Sequence, residues 1–149
     1  MIRTATPAGE RNRRDEWPPA AALRKITRGM RPKIRVWVTF GDDMKFGDGR
    51  ARLLELIDAR GSLSKAAEEL EMSYRNAWGY LQDLERAAGF QFVERMAGGG
   101  PKSGMRLTAD GKRFLERYRK FRTALDDTMK RQFARTFPRG RSARARKRT

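Results

Sequence analysis

Apolar residues recur every three or four positions between residues 63 and 88, which is the spacing of one face of a helix. They are Leu63, Ala66, Ala67, Leu70, Ala77, Leu81, Leu84 and Ala88. A polar break at residues 71–73 divides them into two helices, since Ser73 is a good N-cap for the second. Alanines in both helices permit the close crossing that a helix-turn-helix requires. An ordinary amphipathic helix pair with a solvated polar face has the same pattern.

Serines, an aspartate and a glycine mark the predicted helix ends. Ser62 or Ser64 can cap the first helix of the pair, and Gly89 is suited to end the second. A helix over residues 50–60 precedes the pair, and Asp48 is predicted to cap it. Three successive helices are therefore expected in the middle of the chain.

Strict alternation replaces helical spacing in residues 33–40, where every second residue is apolar. This period of two predicts a half-buried strand. Turn-forming residues at 41–43 lead into a short second strand at 44–46, so a β-hairpin is expected. Asp42, Asp43 and Asp48 also have the chemistry of metal ligands, but carboxylates beside glycines are more commonly turn and cap residues.

A second pair of strands is predicted behind the helix pair. Residues 90–95 and 105–107 have the composition of strands, and the glycine-rich residues 98–101 join them. Two strands with a basic, glycine-rich tip form a wing, which lies along the sugar–phosphate backbone or enters the minor groove of DNA. The tip lacks the residue spacing of a phosphate-binding loop.

The longest predicted helix covers residues 109 to about 135. Its apolar residues form one stripe, which consists of Phe114, Tyr118, Phe121, Leu125, Met129 and Phe133. A domain of this size is too small to cover the whole stripe, so we expect a second copy of the chain to cover it in a homodimer. The alternative is that only the first half packs, against the chain's own domain, and the rest frays.

Charge is spread unevenly along the 149 residues. The net charge is +17, from 35 Lys and Arg against 18 Asp and Glu. Residues 1–31 hold eight basic and three acidic residues, and residues 138–149 hold six basic and none acidic. Both ends have too few apolar residues to fold and are predicted to be mostly disordered, with a short helical turn expected at residues 20–26. The positive charge indicates a polyanionic partner, nucleic acid first and an anionic membrane surface second.

Missing residue types exclude several kinds of chemistry. The chain has no Cys and no His, which excludes disulfides, thiolate or imidazole zinc sites and His-based acid–base catalysis. We therefore expect no enzyme activity, no metal and no cofactor. No apolar run is long enough to span a bilayer and no export signal is evident, so no membrane partner and a cytoplasmic location are predicted.

These elements together predict an α+β fold: a winged helix-turn-helix with an N-terminal β-hairpin and a long C-terminal dimerisation helix. The predicted organisation is a disordered basic arm (residues 1–31), a DNA-binding domain with its dimerisation helix (32–137) and a disordered basic tail (138–149). The length suits one domain with its own core.

Motifs within residues 33–125 resemble the N-terminal DNA-binding domain of ModE-type molybdate-responsive transcription regulators, in the wider LysR-like winged helix-turn-helix group. The motifs are Ile34-Arg35-Val36-Trp37-Val38, Gly47-Asp48-Gly49-Arg50, Gly61-Ser-Leu-Ser-Lys-Ala-Ala67, Met72-Ser-Tyr-Arg-Asn-Ala-Trp78, Val93-Glu-Arg95 with its glycine-rich continuation, and Leu107-Thr108. The resemblance implies a two-fold dimer through the long helix, with recognition helices in successive major grooves of a palindromic operator.

The resemblance has one departure. Full-length members of the family append a C-terminal module that binds the oxyanion, whereas an Arg-rich tail follows the last helix here. We therefore expect DNA binding without molybdate sensing, and no small-molecule ligand within this chain.

The predicted elements assign the site residues. Base contacts are expected at the leading end of the second helix, since Arg and Asn can bond guanine and adenine edges in the major groove; the residues there are Ser73, Tyr74, Arg75 and Asn76. For Arg75 the alternative is a phosphate contact. Backbone contacts are expected from Lys65, Arg95, Lys102 and Arg106, and the dimer interface is expected to contain Phe114, Tyr118, Phe121, Leu125 and Met129.

The function predicted from the sequence is a sequence-specific, dimeric transcription regulator. The alternative is an architectural protein that coats DNA with little preference for sequence. An enzyme is the third class, and no convergent set of catalytic groups supports it, since Glu68, Glu69 and Glu71 lie on a predicted solvent face.

Overall fold

The computed structural model describes residues 20–96 and 104–138. In chain order the elements are α1 (Ala20–Thr27), β1 (Val38–Phe40), β2 (Met44–Phe46), α2 (Asp48–Arg60), α3 (Leu63–Glu69), α4 (Tyr74–Ala88), β3 (Val93–Arg95), β4 (Met105–Leu107) and α5 (Ala109–Thr136). The chain forms two compact units. Residues 34–127 make up the larger one, and the smaller one contains the described residues 20–33 and 128–138.

The core of the larger unit is built from the three successive helices and the two hairpins. Its largest fully buried side chains are Phe46, Phe92, Leu54, Ile57, Leu81 and Leu84. The small residues Ala66 and Ala77, one on each helix of the pair, have no exposed surface. Burial of these alanines is what a close crossing of α3 and α4 requires, and the winged helix-turn-helix fold predicted from the sequence is confirmed.

The N-terminal hairpin is shorter than predicted. β1 and β2 pair antiparallel, with Val38 opposite Phe46 and Phe40 opposite Met44. The predicted strand over residues 33–40 is wrong for residues 33–37, because β2 ends at Phe46 and leaves these residues without a partner strand. Residues 34–37 nevertheless keep the alternation of half-buried and exposed positions that the sequence indicates.

The predicted N-cap of α2 is also wrong. Gly47 occupies the cap position with an extended backbone and no side-chain cap, and Asp48 is the first helical residue. A Cβ at Gly47 would lie 2.8 Å from the ring of Trp37, so the close approach of the indole favours glycine there. The Asp48 carboxylate turns to the long helix instead, where it accepts hydrogen bonds from Tyr118 Oη at 2.6 Å and Arg122 Nε at 3.3 Å.

The first half of α5 packs onto the core of its own unit. The Phe114 and Tyr118 rings each meet Phe46 edge to face, with ring centroids 4.9 Å apart. Tyr118 is only 3% exposed. A Cβ at Gly111 would lie 2.4 Å from the carbonyl oxygen of Phe92, which shows how closely the helix approaches the wing. The assignment of Phe114 and Tyr118 to a dimer interface is therefore corrected, because both side chains are used within the chain.

The smaller unit contains α1 and the last turns of α5. Residues 20–27 form α1, in agreement with the short helical turn expected at residues 20–26 and with the high helix propensity of their alanines. At the other end, the Phe133 and Phe137 rings lie 5.1 Å apart between centroids. Across the residues that the structure covers, no helix is long and apolar enough to cross a membrane.

Candidate nucleic-acid interface

Both helices of the helix-turn-helix begin at a serine cap. Ser62 Oγ accepts a hydrogen bond from the Lys65 amide at 3.3 Å, so Ser62 and not Ser64 caps α3. Ser73 Oγ accepts one from the Asn76 amide at 3.1 Å and caps α4. Ser73 therefore uses its hydroxyl to cap the start of α4. The cap fixes the direction in which the following side chains leave the backbone.

The turn between the two helices has one strained position. Glu71 has a φ of 54°, in the left-handed region that non-glycine residues seldom occupy. Its amide and that of Met72 donate hydrogen bonds to the carbonyls of Glu68 and Ala67, both at 3.0 Å. These bonds close α3 and direct the chain into the cap of α4.

The leading end of α4 exposes the side chains that the sequence assigns to base contacts. Tyr74 is 40% exposed, and Arg75 and Asn76 are also exposed. Steps of four along the helix place Trp78 and Gln82 on the same side as Tyr74. Sequence analysis did not assign these last two residues, although their spacing from Tyr74 was visible.

The wing is held to the recognition helix at its root. β3 and β4 pair antiparallel, with Arg95 opposite Met105 and Glu94 opposite Arg106. The guanidinium carbon of Arg95 lies 5.1 Å from the centroid of the Trp78 ring, within the range of a cation–π contact. Arg95, assigned to backbone contact from the sequence, therefore also connects the wing to α4.

The other predicted backbone contacts are placed differently. Arg106 Nε is 2.6 Å from Glu94 Oε1, and 57% of the Arg106 side chain stays exposed. Lys65 lies exposed in the first turn of α3, where a helix N-terminus favours anions. Lys102, at the predicted tip of the wing, lies outside the described residues.

Arg50 connects α4 to α2 and to the hairpin, and sequence analysis gave it no role. Its Nη1 donates a hydrogen bond to the carbonyl of Lys45. The guanidinium carbon lies 4.4 Å from the centroid of the Tyr80 ring. Burial lowers the pKa of Arg50, while nearby Tyr80 and Asp83 act in the opposite direction. The only signal in the sequence was that Arg50 belongs to the Gly-Asp-Gly-Arg motif.

A polar network fixes the long helix against the start of α2. Burial raises the pKa of Tyr118 to about 12, and its hydrogen bond to Asp48 acts in the same direction. Burial acts to raise the pKa of Asp48, but hydrogen bonds from Tyr118 and Arg122 and the charges of Arg122 and Arg119 outweigh it, so that pKa is lowered. Arg122 Nη2 also donates to the carbonyl of Ile34 at 2.9 Å. The orientation of α5 is thus set by several charged contacts.

Within residues 20–96 and 104–138, no group of three or more Asp, Glu, His or Cys side chains is placed to hold a metal ion. The arrangement of exposed basic, amide and aromatic groups on α4 and the wing is suited to a nucleic-acid surface.

The chain is similar to several known proteins. Residues 50–112 match the family model of the bacterial regulatory helix-turn-helix protein, lysR family. The chain is 37% identical over 83 residues to the molybdenum transport protein ModE of Azotobacter vinelandii, covering 53% of this chain and 31% of that protein. It is 35% identical over 69 residues to the transcriptional regulator ModE of Haemophilus influenzae, covering 46% and 27%. The resemblance inferred from the motifs is confirmed.

Among solved structures, the chain is similar to the CbnR DNA-binding domain in complex with DNA, with 25% identity, a TM-score of 0.48, and coverage of 59% of this chain and 95% of that one. The chain spans about a third or less of the length of the two ModE relatives. The matched part of the chain is therefore similar to the helix-turn-helix domain of LysR-family regulators and to part of the ModE proteins.

Proposed function

We propose that this protein is a dimeric, sequence-specific DNA-binding transcription regulator. One observation carries the proposal: the serine-capped end of α4 exposes Tyr74, Arg75 and Asn76 beside a wing whose root contacts the same helix through Arg95. A recognition helix and a basic wing are the two parts with which a winged helix-turn-helix grips duplex DNA.

Base recognition is assigned to the exposed side of α4. Arg75 is able to bond the O6 and N7 atoms of guanine in a bidentate manner, and Asn76 suits adenine. Ser73 orients them through its cap. Trp78 extends this surface by one turn, and its apolar ring suits the methyl group of thymine.

Backbone contacts are assigned to positive side chains on either side of α4. Lys65 is exposed at the start of α3, and Arg106 is exposed on the wing. Arg95 and Lys102 complete the set at the root and the predicted tip of the wing. Such contacts fix the register of the protein on DNA without specifying sequence.

Dimerisation is assigned to the exposed part of the α5 stripe. Phe121 is 46% exposed, while Leu125 and Met129 are half-buried. Large apolar side chains at such spacing on one helix are suited to a partner helix. A two-fold dimer would present its recognition helices to half-sites about 34–36 Å apart, one turn of DNA.

The molybdenum transport role in the name of the Azotobacter vinelandii relative is not carried over to this chain, which covers 31% of that protein. The proposal is limited to DNA recognition. The competing function is an architectural protein, in which the net charge of +17 dominates and α4 contributes little.

A selection of bound duplexes from a randomised pool, followed by footprinting, distinguishes the two functions. We expect a discrete motif with two symmetric half-sites and a bounded footprint. Even protection along any duplex, with no enriched motif, would support the architectural function and contradict the proposal.

A further inference from the structure

A cavity of about 370 Å³ lies in the larger unit between the first turn of α2, the turn of the helix-turn-helix and the middle of α4. Two of its walls are aromatic side chains with much exposed surface, Trp37 at 56% and Tyr80 at 42%. Leu53, Leu70 and Met72 supply apolar lining. Small-molecule sites commonly have volumes of roughly 300–1,000 Å³ and mostly apolar walls with a few polar groups.

Both rings have a cation beside them. The Arg50 guanidinium carbon lies 4.4 Å from the centroid of Tyr80, and Lys45 Nζ lies 5.6 Å from the centroid of Trp37. The Arg50 guanidinium has five N–H donors. Its Nη1 donates to the Lys45 carbonyl, and its Nε, which has no hydrogen-bond partner among the described residues, is buried and not itself accessible from the cavity. A guanidinium in this state is suited to an additional oxygen acceptor.

The acidic group in the wall does not cancel this positive charge. Asp48 lines the cavity, but its carboxylate accepts hydrogen bonds from Tyr118 and Arg122 and lies 3.9 Å from Arg119. Its charge is therefore compensated from the side of the long helix. The cavity combines exposed rings with an excess of positive charge, which is complementary to a ligand that is both planar and negative.

We propose that this cavity binds a small aromatic carboxylate. The carboxylate bonds Arg50, and the ring of the ligand contacts Trp37 and Tyr80. This proposal departs from the expectation, drawn from the sequence, that the chain has no small-molecule ligand. The walls of the cavity come from segments distant in sequence, so local patterns do not reveal it.

Binding at this position acts on the DNA-recognition helix directly. Tyr80 belongs to α4 and Met72 to the turn that leads into it, so a ligand between them contacts the recognition element itself. A ligand changes DNA affinity only if it binds the DNA-competent arrangement of these elements more or less tightly than the other arrangements. The ligand site itself is independent of the proposed DNA-binding function, and only this coupling rests on it.

The test is a titration of the full chain with benzoate, monitored through the amide signals of Gly47 and Gly49 and the indole signal of Trp37 in nitrogen-15 NMR spectra. Benzamide keeps the ring without the charge, and cyclohexanecarboxylate keeps the charge without the flat ring. We expect saturable shifts with benzoate at millimolar concentration and weaker binding of both analogues. Trp37→Ala and Tyr80→Ala should each weaken benzoate binding by about two- to tenfold, the usual range for an aromatic contact.

Tyr74→Ala is the matched control, since Tyr74 is an exposed tyrosine of the same helix outside the cavity; benzoate affinity should not change. Thermal unfolding of each variant verifies that it is folded. Equal binding of benzoate and cyclohexanecarboxylate, an equal loss of affinity in Tyr74→Ala, or the absence of any saturable shift would overturn the proposal. Deletion of residues 1–19 provides a further check. If this deletion, without benzoate, produces the same shifts, those residues occupy the cavity in the full chain and the proposal is also wrong.

Discussion

Tyr118 on the long helix donates a 2.6 Å hydrogen bond to Asp48, the first residue of α2 and 70 positions earlier in the chain. This contact connects the helix proposed to dimerise with the helix that precedes the helix-turn-helix. Arg122 binds the same carboxylate from the next turn of α5. A change in the position of α5 is therefore expected to alter the contacts of Asp48 at the start of α2.

The Tyr118 contact makes stability sensitive to alkaline pH. Burial and the Asp48 hydrogen bond raise the pKa of Tyr118 from 10.0 to about 12. The unfolded chain loses the phenolic proton first, so the stabilisation is complete below pH 10 and is lost as the pH rises through about 12. One pKa unit corresponds to about 1.4 kcal/mol, so the loss is on the order of 2–3 kcal/mol.

Denaturant unfolding of the wild type and Tyr118→Phe at a series of alkaline pH values measures this effect. The variant should be less stable below pH 10 by about 1 kcal/mol, the usual value of a hydrogen bond, and should show a smaller alkaline loss. Tyr74→Phe, at an exposed tyrosine of α4, serves as the control. Parallel pH curves for wild type and Tyr118→Phe would contradict the prediction.

Arg75→Ala tests base recognition. Loss of a bidentate guanine contact should weaken binding to the selected motif by about 1–3 kcal/mol and relax preference at one position in each half-site. Arg86→Ala is the control, because Arg86 is exposed further along α4 and pairs with Asp83 at 3.4 Å. If Arg75→Ala weakens all duplexes equally and selection returns an unchanged motif, Arg75 contacts phosphate instead.

Substitution of the wing residues Arg95 and Arg106 should distinguish effects on folding stability from effects on the salt dependence of DNA affinity. Arg95→Ala removes the contact with Trp78 and should reduce folding stability by about 0.5–1 kcal/mol. Arg106→Ala breaks an exposed pair with Glu94, which should change stability little. Each substitution should flatten the salt dependence of DNA affinity by about 0.9 units if the side chain also neutralises one phosphate.

Arg95→Lys distinguishes the two roles of Arg95. Lysine keeps the charge but does not stack on an indole as the planar guanidinium does, so the salt dependence should be retained while stability falls. A variant as stable as the wild type would show that the cation–π contact does not hold the wing root.

Much of this fold could be predicted from local sequence signals. The contacts between residues distant in sequence could not. Ser73 marks the start of α4 by its side-chain cap and Gly89 marks the end by its left-handed backbone, and both predictions are confirmed. Asp48 was predicted to be a cap from the same local preference, but its partner is Tyr118, which no local pattern reveals. Arg50 and Trp78 were missed as contact residues for the same reason, since their partners lie on other elements.

The α5 stripe shows where periodicity stops being informative. Its apolar spacing predicted one continuous face, and α5 is indeed a single helix over Ala109–Thr136. Spacing alone does not say which neighbour covers each residue. The structure packs Phe114 and Tyr118 on the core and leaves Phe121 46% exposed, so only the later part of the stripe is proposed to meet a partner.

Phe121→Glu with Leu125→Glu tests that interface. Two unpaired charges at an apolar seam should be strongly destabilising to a dimer, so sedimentation should show monomers and operator affinity should fall. Thr123→Glu, an exposed position on the same helix, is the control for added negative charge. The single variant Phe121→Glu changes only an exposed side chain. It controls for the possibility that the double variant loses the dimer because it unfolds. A wild type that sediments as a monomer with full operator affinity would contradict the dimer.

Deletion of residues 138–149 tests whether the tail contributes affinity without sequence preference. The segment has six basic residues and no acidic one. Each phosphate neutralised contributes a slope of about −0.9 in log K against log salt, so engagement of half of the six charges predicts a slope flatter by roughly 3 units. Affinity should fall by a similar factor for operator and random duplex, leaving their ratio nearly unchanged. An unchanged slope would mean that the tail serves solubility alone. Loss of discrimination between the two duplexes would place sequence recognition in the tail and contradict its assignment to α4.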